Sequence, residues 1–144
     1  MIRLSARLSE EIRGHGERAY PDECCGLLLG RLEEGGVKEV SELFHVENAR
    51  EAGERYHRSL ITPEEYLRGE RHARSLRLDV VGNYHSHPNH PAVPSQFDLE
   101  HAWPTWSYVI VSVREGRAED LRSWELEPDR TRFREERVDT KEGR

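Results

Sequence analysis

Positions that favour burial recur along this chain with two different periods. Leu8, Ile12, His15 and Ala19 stand at helical spacing, which predicts an amphipathic helix from Ala6 to Ala19, weakened by Gly14 and Gly16 and stopped before Pro21. The run Cys24-Cys25-Gly26-Leu27-Leu28-Leu29-Gly30 is short, apolar and bounded by Pro and Gly, so it reads as a buried strand. After the turn Glu33-Glu34-Gly35-Gly36, the looser alternation of Val37, Val40, Leu43, Phe44 and Val46 predicts a second strand with a bulge. Residues 47–58 are polar and read as a loop into a short strand over 58–61.

The second half repeats the order. Thr62-Pro63-Glu64-Glu65 combines an N-cap, a proline at the first helical position and a glutamate at the third, a capping box that opens a helix over 63–77. Tyr66, Leu67, Ala73 and Leu76 are expected on its inner face. Residues 78–84 form a strand that leads straight to His85. Residues 106–113 form a buried strand by their β-branched content, 120–126 another, and 133–138 a last edge strand, with 139–144 expected to fray. Helix, strands, helix, strands predict an α/β fold with a mixed β-sheet flanked by helices, in a single domain over 1–138.

Composition narrows the function. The 144 residues suit one domain, and Leu, Ile, Val and Phe account for 31 of them, just above the roughly 20 % below which charged chains tend to disorder. A formal net charge of −6 without a basic block argues against nucleic acid as a partner. No apolar run approaches the roughly 18 residues of a membrane span, and the start Met-Ile-Arg-Leu-Ser-Ala-Arg lacks the apolar core of a signal peptide, so the expected location is the cytoplasm. Cys24 and Cys25 are neighbours and cannot make a disulfide framework; both read as small core residues. All but two of the 22 basic residues, Lys38 and Lys141, are arginine, which nothing in the sequence explains. Of eight histidines, His85, His87 and His90 fall within six residues.

That cluster carries the chemistry. On an extended segment residues two apart point to one side, so His85 and His87 can converge on one ion while Ser86 faces away. The loop that follows can bring back a carboxylate, Asp98. Taken alone, Ser95-x-x-Asp98 reads as a helix N-cap with an acidic first turn. Combined with His-x-His at a strand end, it makes two imidazoles and one carboxylate, a set that leaves a fourth position open as catalytic zinc sites do. Zinc so held activates water and polarises a carbonyl, which implies hydrolysis.

His85-Ser86-His87, seven residues, then Ser95-x-x-Asp98 resembles the zinc motif of the JAMM (MPN-plus) metallopeptidases. That family has a glutamate upstream, just before a strand, and Pro21-Asp22-Glu23-Cys24-Cys25-Gly26-Leu27-Leu28-Leu29-Gly30 is similar to that segment. The resemblance implies the JAMM/MPN, cytidine deaminase-like sandwich. It also implies one zinc per chain on His85, His87 and Asp98, with Glu23 as general acid/base and Ser95 as the hydroxyl that holds the water and stabilises the oxyanion. A zinc deaminase would need Pro-Cys-x-x-Cys beside its His-x-Glu, and with Cys24 and Cys25 as the only cysteines that motif is absent. His90 and His101 are expected to be exposed, His90 as a substrate contact or an adventitious ligand. Trp103 and Trp106 are expected either to wall the cleft or to pack in the core.

The near-minimal length, with little chain between Asp98 and Trp106, is similar to the small prokaryotic members, the Mec-type sulfur-carrier hydrolases. The implied activity is hydrolysis of the peptide or isopeptide bond after the C-terminal Gly-Gly of a ubiquitin-like sulfur-carrier protein, either releasing cysteine or trimming an extension. The alternatives are an isopeptidase that removes such modifiers from lysines and a non-catalytic MPN-type scaffold. The expected partner is the carrier, with neither nucleic acid nor membrane, and the enzyme is expected as a monomer or homodimer.

Overall fold

The computed structural model describes residues 1–46 and 61–140. In chain order they form β1 (Ile2–Arg3), α1 (Ala6–Ala19), β2 (Cys25–Leu32), β3 (Lys38–Val46), α2 (Pro63–Ser75), β4 (Asp79–Pro88), α3 (Gln96–Glu100), β5 (Ser107–Arg114), β6 (Arg117–Leu126), β7 (Phe133–Glu136) and β8 (Val138–Asp139). The strands lie in one sheet in the order β7-β6-β5-β4-β2-β3-β1-β8. The sheet is mixed: β4 and β5 run parallel, with α3 in the connection between them, whereas β2 pairs antiparallel with both β3 and β4. A mixed sheet flanked by helices is therefore the architecture, as the element order predicts.

α1 covers one face. Ser5 caps it by accepting from the Leu8 N–H at 3.2 Å, and Leu8 and Ile12 sink into a core with Leu28, Tyr84, Val109, Val111 and Val113. Each such aliphatic side chain contributes about 1.5–3 kcal/mol relative to exposure. Gly16, which the sequence marks as a weak point, is where the helix touches the sheet: a Cβ there would stand 3.0 Å from Val113 Cγ2 and 3.4 Å from Ser86 Cβ. Helix propensity is given up at this position for a close approach.

α2 covers the other face, over Cys25, Leu27, Leu29 and Val46. The predicted capping box forms, Thr62 Oγ1 accepting from Glu65 N–H at 3.2 Å. The expected inner face needs correction. Ala73 is buried and Tyr66 packs against the cluster, but Leu67 is 47 % exposed and Leu76 41 %. The helix seats instead through Gly69, where an added Cβ would meet Leu27 Cδ1 at 2.3 Å, so the buried stripe runs through small residues and turns Leu67 outward. The helix also ends at Ser75. The strand expected over 58–61 lies, except for Ile61, outside the described residues; Ile61 is in no strand and packs beneath α2.

β3 carries the expected bulge: Leu29 pairs with Glu42 and Gly30 with Val40, which leaves Ser41 as the extra residue. At the chain's end, β7 pairs with β6, and after one further residue, Arg137, β8 pairs with β1 at the opposite end of the strand order. Ladder pairing thus reaches Asp139, one residue into the stretch expected to fray. The two edges meet over a buried polar cluster. Glu136 accepts from the hydroxyls of Ser107 at 2.6 Å and Ser123 at 2.8 Å, and Lys38 Nζ bridges Glu136 at 3.7 Å and Glu125 at 2.5 Å. Lys38 is 5 % exposed, so this rare lysine is a structural ion-pair partner.

One histidine of α1 makes acid stability testable. His15 Nδ1 lies 2.8 Å from the Tyr84 hydroxyl, and its ring stacks on His45 with centroids 4.4 Å apart. Burial, with the charges of His45 and Arg18, pushes the His15 pKa down from 6.5 to about 4. Between those values the unfolded chain binds more protons than the folded one, so stability is full above pH 6.5 and is lost as pH falls toward 4. In chelator, the urea midpoint of wild type is expected to fall more steeply than that of His15→Gln between pH 7.5 and 4.5. Parallel curves would remove His15 as the cause.

Candidate metal centre

The strand into the histidine cluster does not stop at Tyr84; it runs on to Pro88 and holds both imidazoles inside the ladder, His85 opposite Cys25 and Ile110, His87 opposite Ser112. Alternation then sends the two rings to the α2/α3 face and Ser86 to the α1 face, where Ser86 is fully buried. Hydrogen bonds to successive carbonyls tie down the loop after Pro88. Ser112 Oγ donates to His90 O at 2.6 Å, His87 Nδ1–H to Pro91 O at 2.9 Å and Trp124 Nε1–H to Ala92 O at 3.0 Å. Ser95 caps α3, its Oγ accepting from Asp98 N–H at 3.0 Å while its own N–H donates to Asp98 Oδ2 at 2.8 Å. The N-cap and ligand readings of Ser95-x-x-Asp98 are thus one structure, in which the capping box aims the carboxylate at the histidines.

Three side chains converge. His85 Nε2 is 3.1 Å from His87 Nε2, His87 Nε2 is 3.2 Å from Asp98 Oδ2, and His85 Nε2 is 3.3 Å from Asp98 Oδ1. Among the described residues this is the group of His, Cys, Asp and Glu placed to hold a metal ion. Ligands about 2.0–2.1 Å from a tetrahedral ion stand about 3.3 Å apart, so the observed spacing fits a zinc-sized cation between two nitrogens and an oxygen. The His87 Nδ1–H bond to Pro91 O leaves a lone pair on Nε2, the tautomer a metal requires. Burial works against ionisation of Asp98. The charge of His85, its hydrogen bond and the hydrogen bond from Ser95 N–H outweigh it and hold the carboxyl well below the usual range, a ligand ionised throughout neutral pH.

A cleft of about 430 Å³ opens beside these atoms, lined by Glu23, His87, His90, Ser95, Phe97 and Asp98 among others. Glu23, 6 % exposed, lines this cleft together with His87 and Asp98. A smaller cavity of about 90 Å³ lies across Phe97 and Asp98, bordered by Cys25, Asn83, His85, His101 and Tyr108. The site thus has a roomy side that contains Glu23 and a narrow side that contains His85.

Other candidates sort differently. Burial pushes the Cys24 thiol up to about 12 and the Cys25 thiol higher still, and Cys25 donates to Val46 O at 3.8 Å; both are core residues without thiolate character. His90 is exposed on the cleft, and exposed His101 donates to Phe97 O at 2.9 Å. Trp103 lines neither cavity: it is 62 % exposed beneath the Arg130 guanidinium, 5.3 Å from its ring centre. Trp106 packs beside Tyr66 and Tyr108. Nothing in the residue pattern signals the hydrogen bonds that Ser86, Asn89 and Ser112 make around the site, because a buried polar side chain is indistinguishable in sequence from an exposed one.

The motif and its geometry agree with comparisons to known proteins. Residues 5–127 match the family model described as prokaryotic homologs of the JAB domain. The chain is 33 % identical to a desampylase of Haloferax volcanii over 116 residues, 77 % of this chain and 80 % of the relative. It is 31 % identical to the CysO-cysteine peptidase of Mycobacterium tuberculosis over 124 residues, 85 % of this chain and 81 % of the relative. A solution structure of a Salinibacter ruber protein superposes with a TM-score of 0.77 at 43 % identity, covering 96 % of this chain and 90 % of that one. A model that spans most of the chain, peptidase relatives above 30 % identity and a His-His-Asp group in ligand geometry lead to one conclusion: this chain belongs to the prokaryotic JAB-domain family and is a JAMM-type metallopeptidase.

Proposed function

We propose that the enzyme is a zinc peptidase that hydrolyses the peptide or isopeptide bond after the C-terminal Gly-Gly of a ubiquitin-like sulfur-carrier protein, with His85, His87 and Asp98 as ligands, Glu23 as general acid/base and Ser95 as oxyanion donor. The observation that carries the reading is that two imidazoles and a carboxylate offer ligand atoms within 4.8 Å of one another on a cleft whose wall also contains Glu23 and Ser95. Bound there, zinc lowers the pKa of water toward about 7 and polarises the scissile carbonyl.

The chain's residues do the rest. The Glu23 carboxylate takes the proton from the attacking water and delivers it to the leaving nitrogen, which therefore lies on the roomy side of the cleft. The Ser95 hydroxyl accepts from Asp98 N–H and keeps its own proton to donate to the oxygen that becomes negative. The narrow 90 Å³ side favours a main chain without side chains, in keeping with glycine before the scissile bond. The relatives supply the substrate class: one is named for CysO-cysteine and the other for desampylation.

A substrate panel tests this. Small carrier proteins ending in Gly-Gly-Cys are expected to lose cysteine on incubation with the zinc enzyme, and the same carriers linked through Gly-Gly to a lysine side chain to be cut at least tenfold more slowly. Faster cleavage of the lysine-linked forms would favour the isopeptidase, and no cleavage of either by zinc-loaded protein would favour a scaffold.

A further inference from the structure

Glu23 must stand at a fixed reach from the point where His85, His87 and Asp98 converge, yet it lies outside the sheet ladder. β2 begins at Cys25, paired with His85, and Glu23 sits in the connection between α1 and β2. Two side chains of the metal-binding segment hold that connection at its ends. On one side, the fully buried Ser86 accepts through Oγ from Cys24 N–H at 2.8 Å, and its N–H donates to Cys24 O at 3.2 Å. On the other, Asn89 Nδ2 donates to the Tyr20 hydroxyl at 2.9 Å. Asn89 is itself immobilised: it adopts a left-handed φ of 58°, its N–H donates to Val113 O at 2.6 Å and its Oδ1 accepts from Glu115 N–H at 2.8 Å.

These contacts have a shared geometry. Ser86 and Asn89 stand on either side of His87, and Tyr20 and Cys24 on either side of Glu23. We propose that Ser86 and Asn89 are positioning residues for the peptidase reaction, a two-point clamp that sets the reach of the Glu23 carboxylate over the metal centre. The proposal rests on Glu23 as the acid/base. Ser86 has no part in the ligand set, because it projects from the opposite face of β4; its hydroxyl serves a donor next to Glu23. Loss of that acceptor leaves a buried N–H without its partner and loosens one end of the segment, and a misplacement of about 1 Å costs on the order of 10²-fold in rate.

The test uses Ser86→Ala and Tyr20→Phe, the second removing the other contact without altering β4, with Glu23→Gln as control. Both clamp variants are expected to hold wild-type zinc and to keep KM for the Gly-Gly-Cys carrier. Their kcat is expected to fall, about 10- to 100-fold for Ser86→Ala and about threefold to tenfold for Tyr20→Phe. In metal-free Ser86→Ala, hydrogen exchange at the Cys24 amide is expected to quicken at least tenfold, while amides of β5 stay protected. Should Ser86→Ala fail to fold, Tyr20→Phe decides by the same kcat and KM readings. Wild-type kcat in the clamp variants beside an inactive Glu23→Gln overturns the clamp and leaves the Glu23 role standing, and so does a kcat loss that tracks zinc loss. An active Glu23→Gln overturns the role beneath it.

Discussion

Glu23→Gln protein is expected to purify with the wild-type complement of zinc and to hydrolyse its substrate about 10²- to 10⁴-fold more slowly, the range over which a positioned general base contributes. Glu23 is buried in the cleft wall, whereas the three atoms that converge in ligand geometry come from His85, His87 and Asp98. Glutamine keeps the size and the hydrogen-bonding capacity of the side chain and removes the carboxylate that can take a proton. Metal analysis together with single-turnover hydrolysis separates the two properties. Undiminished hydrolysis by the zinc-loaded variant would assign the base elsewhere. Loss of zinc in parallel with activity would make Glu23 part of the metal site.

His87→Ala is expected to lose both zinc and activity. His87 Nε2 stands between the other two donors, 3.1 Å from His85 Nε2 and 3.2 Å from Asp98 Oδ2, so its removal leaves two ligands of different type with no third to close the site. It also releases Pro91 O, which accepts from His87 Nδ1–H and helps hold the loop that returns Asp98. Because metal binds the folded state, its loss also appears as stability, by about 4 kcal/mol when free zinc is 1,000 times its dissociation constant. Chelator is therefore expected to lower the melting temperature of wild type and to leave that of His87→Ala in place. An equal chelator shift in both proteins, or one zinc per chain in the variant, would show that His87 is no ligand.

Local rules account for much of the fold. α1 spans the residues its spacing predicts because Ser5 caps it and Pro21 follows closely, both local causes. The bulge in β3 shows in the sequence because an extra residue breaks the alternation of Val37, Val40, Leu43 and Phe44. Leu67 and Leu76 defeat the same reasoning. Hydrophobicity ranks them above Gly69, but the sheet beneath offers Leu27 and Phe44 as ridges, and only a residue without a side chain lets the helix settle between them. Likewise Lys38 and Glu136 read as surface charges until the curled sheet brings its edges together and buries them as partners.

The candidate site divides in the same way. The identities of His85, His87, Ser95, Asp98 and Glu23 were legible because residue type, strand alternation and motif spacing are properties of the sequence, and the chain's own period of two is enough to put both imidazoles on one face. Only the tertiary structure decided that the ligand atoms of His85, His87 and Asp98 meet within 4.8 Å, that Glu23 lines the same cleft from the connection before β2, and that Ser86 and Asn89 hydrogen-bond to Cys24 and Tyr20 of that connection. Those contacts join residues far apart in the chain, and their distances depend on packing, sheet curvature and buried hydrogen bonds, none of which has a period that a sequence displays.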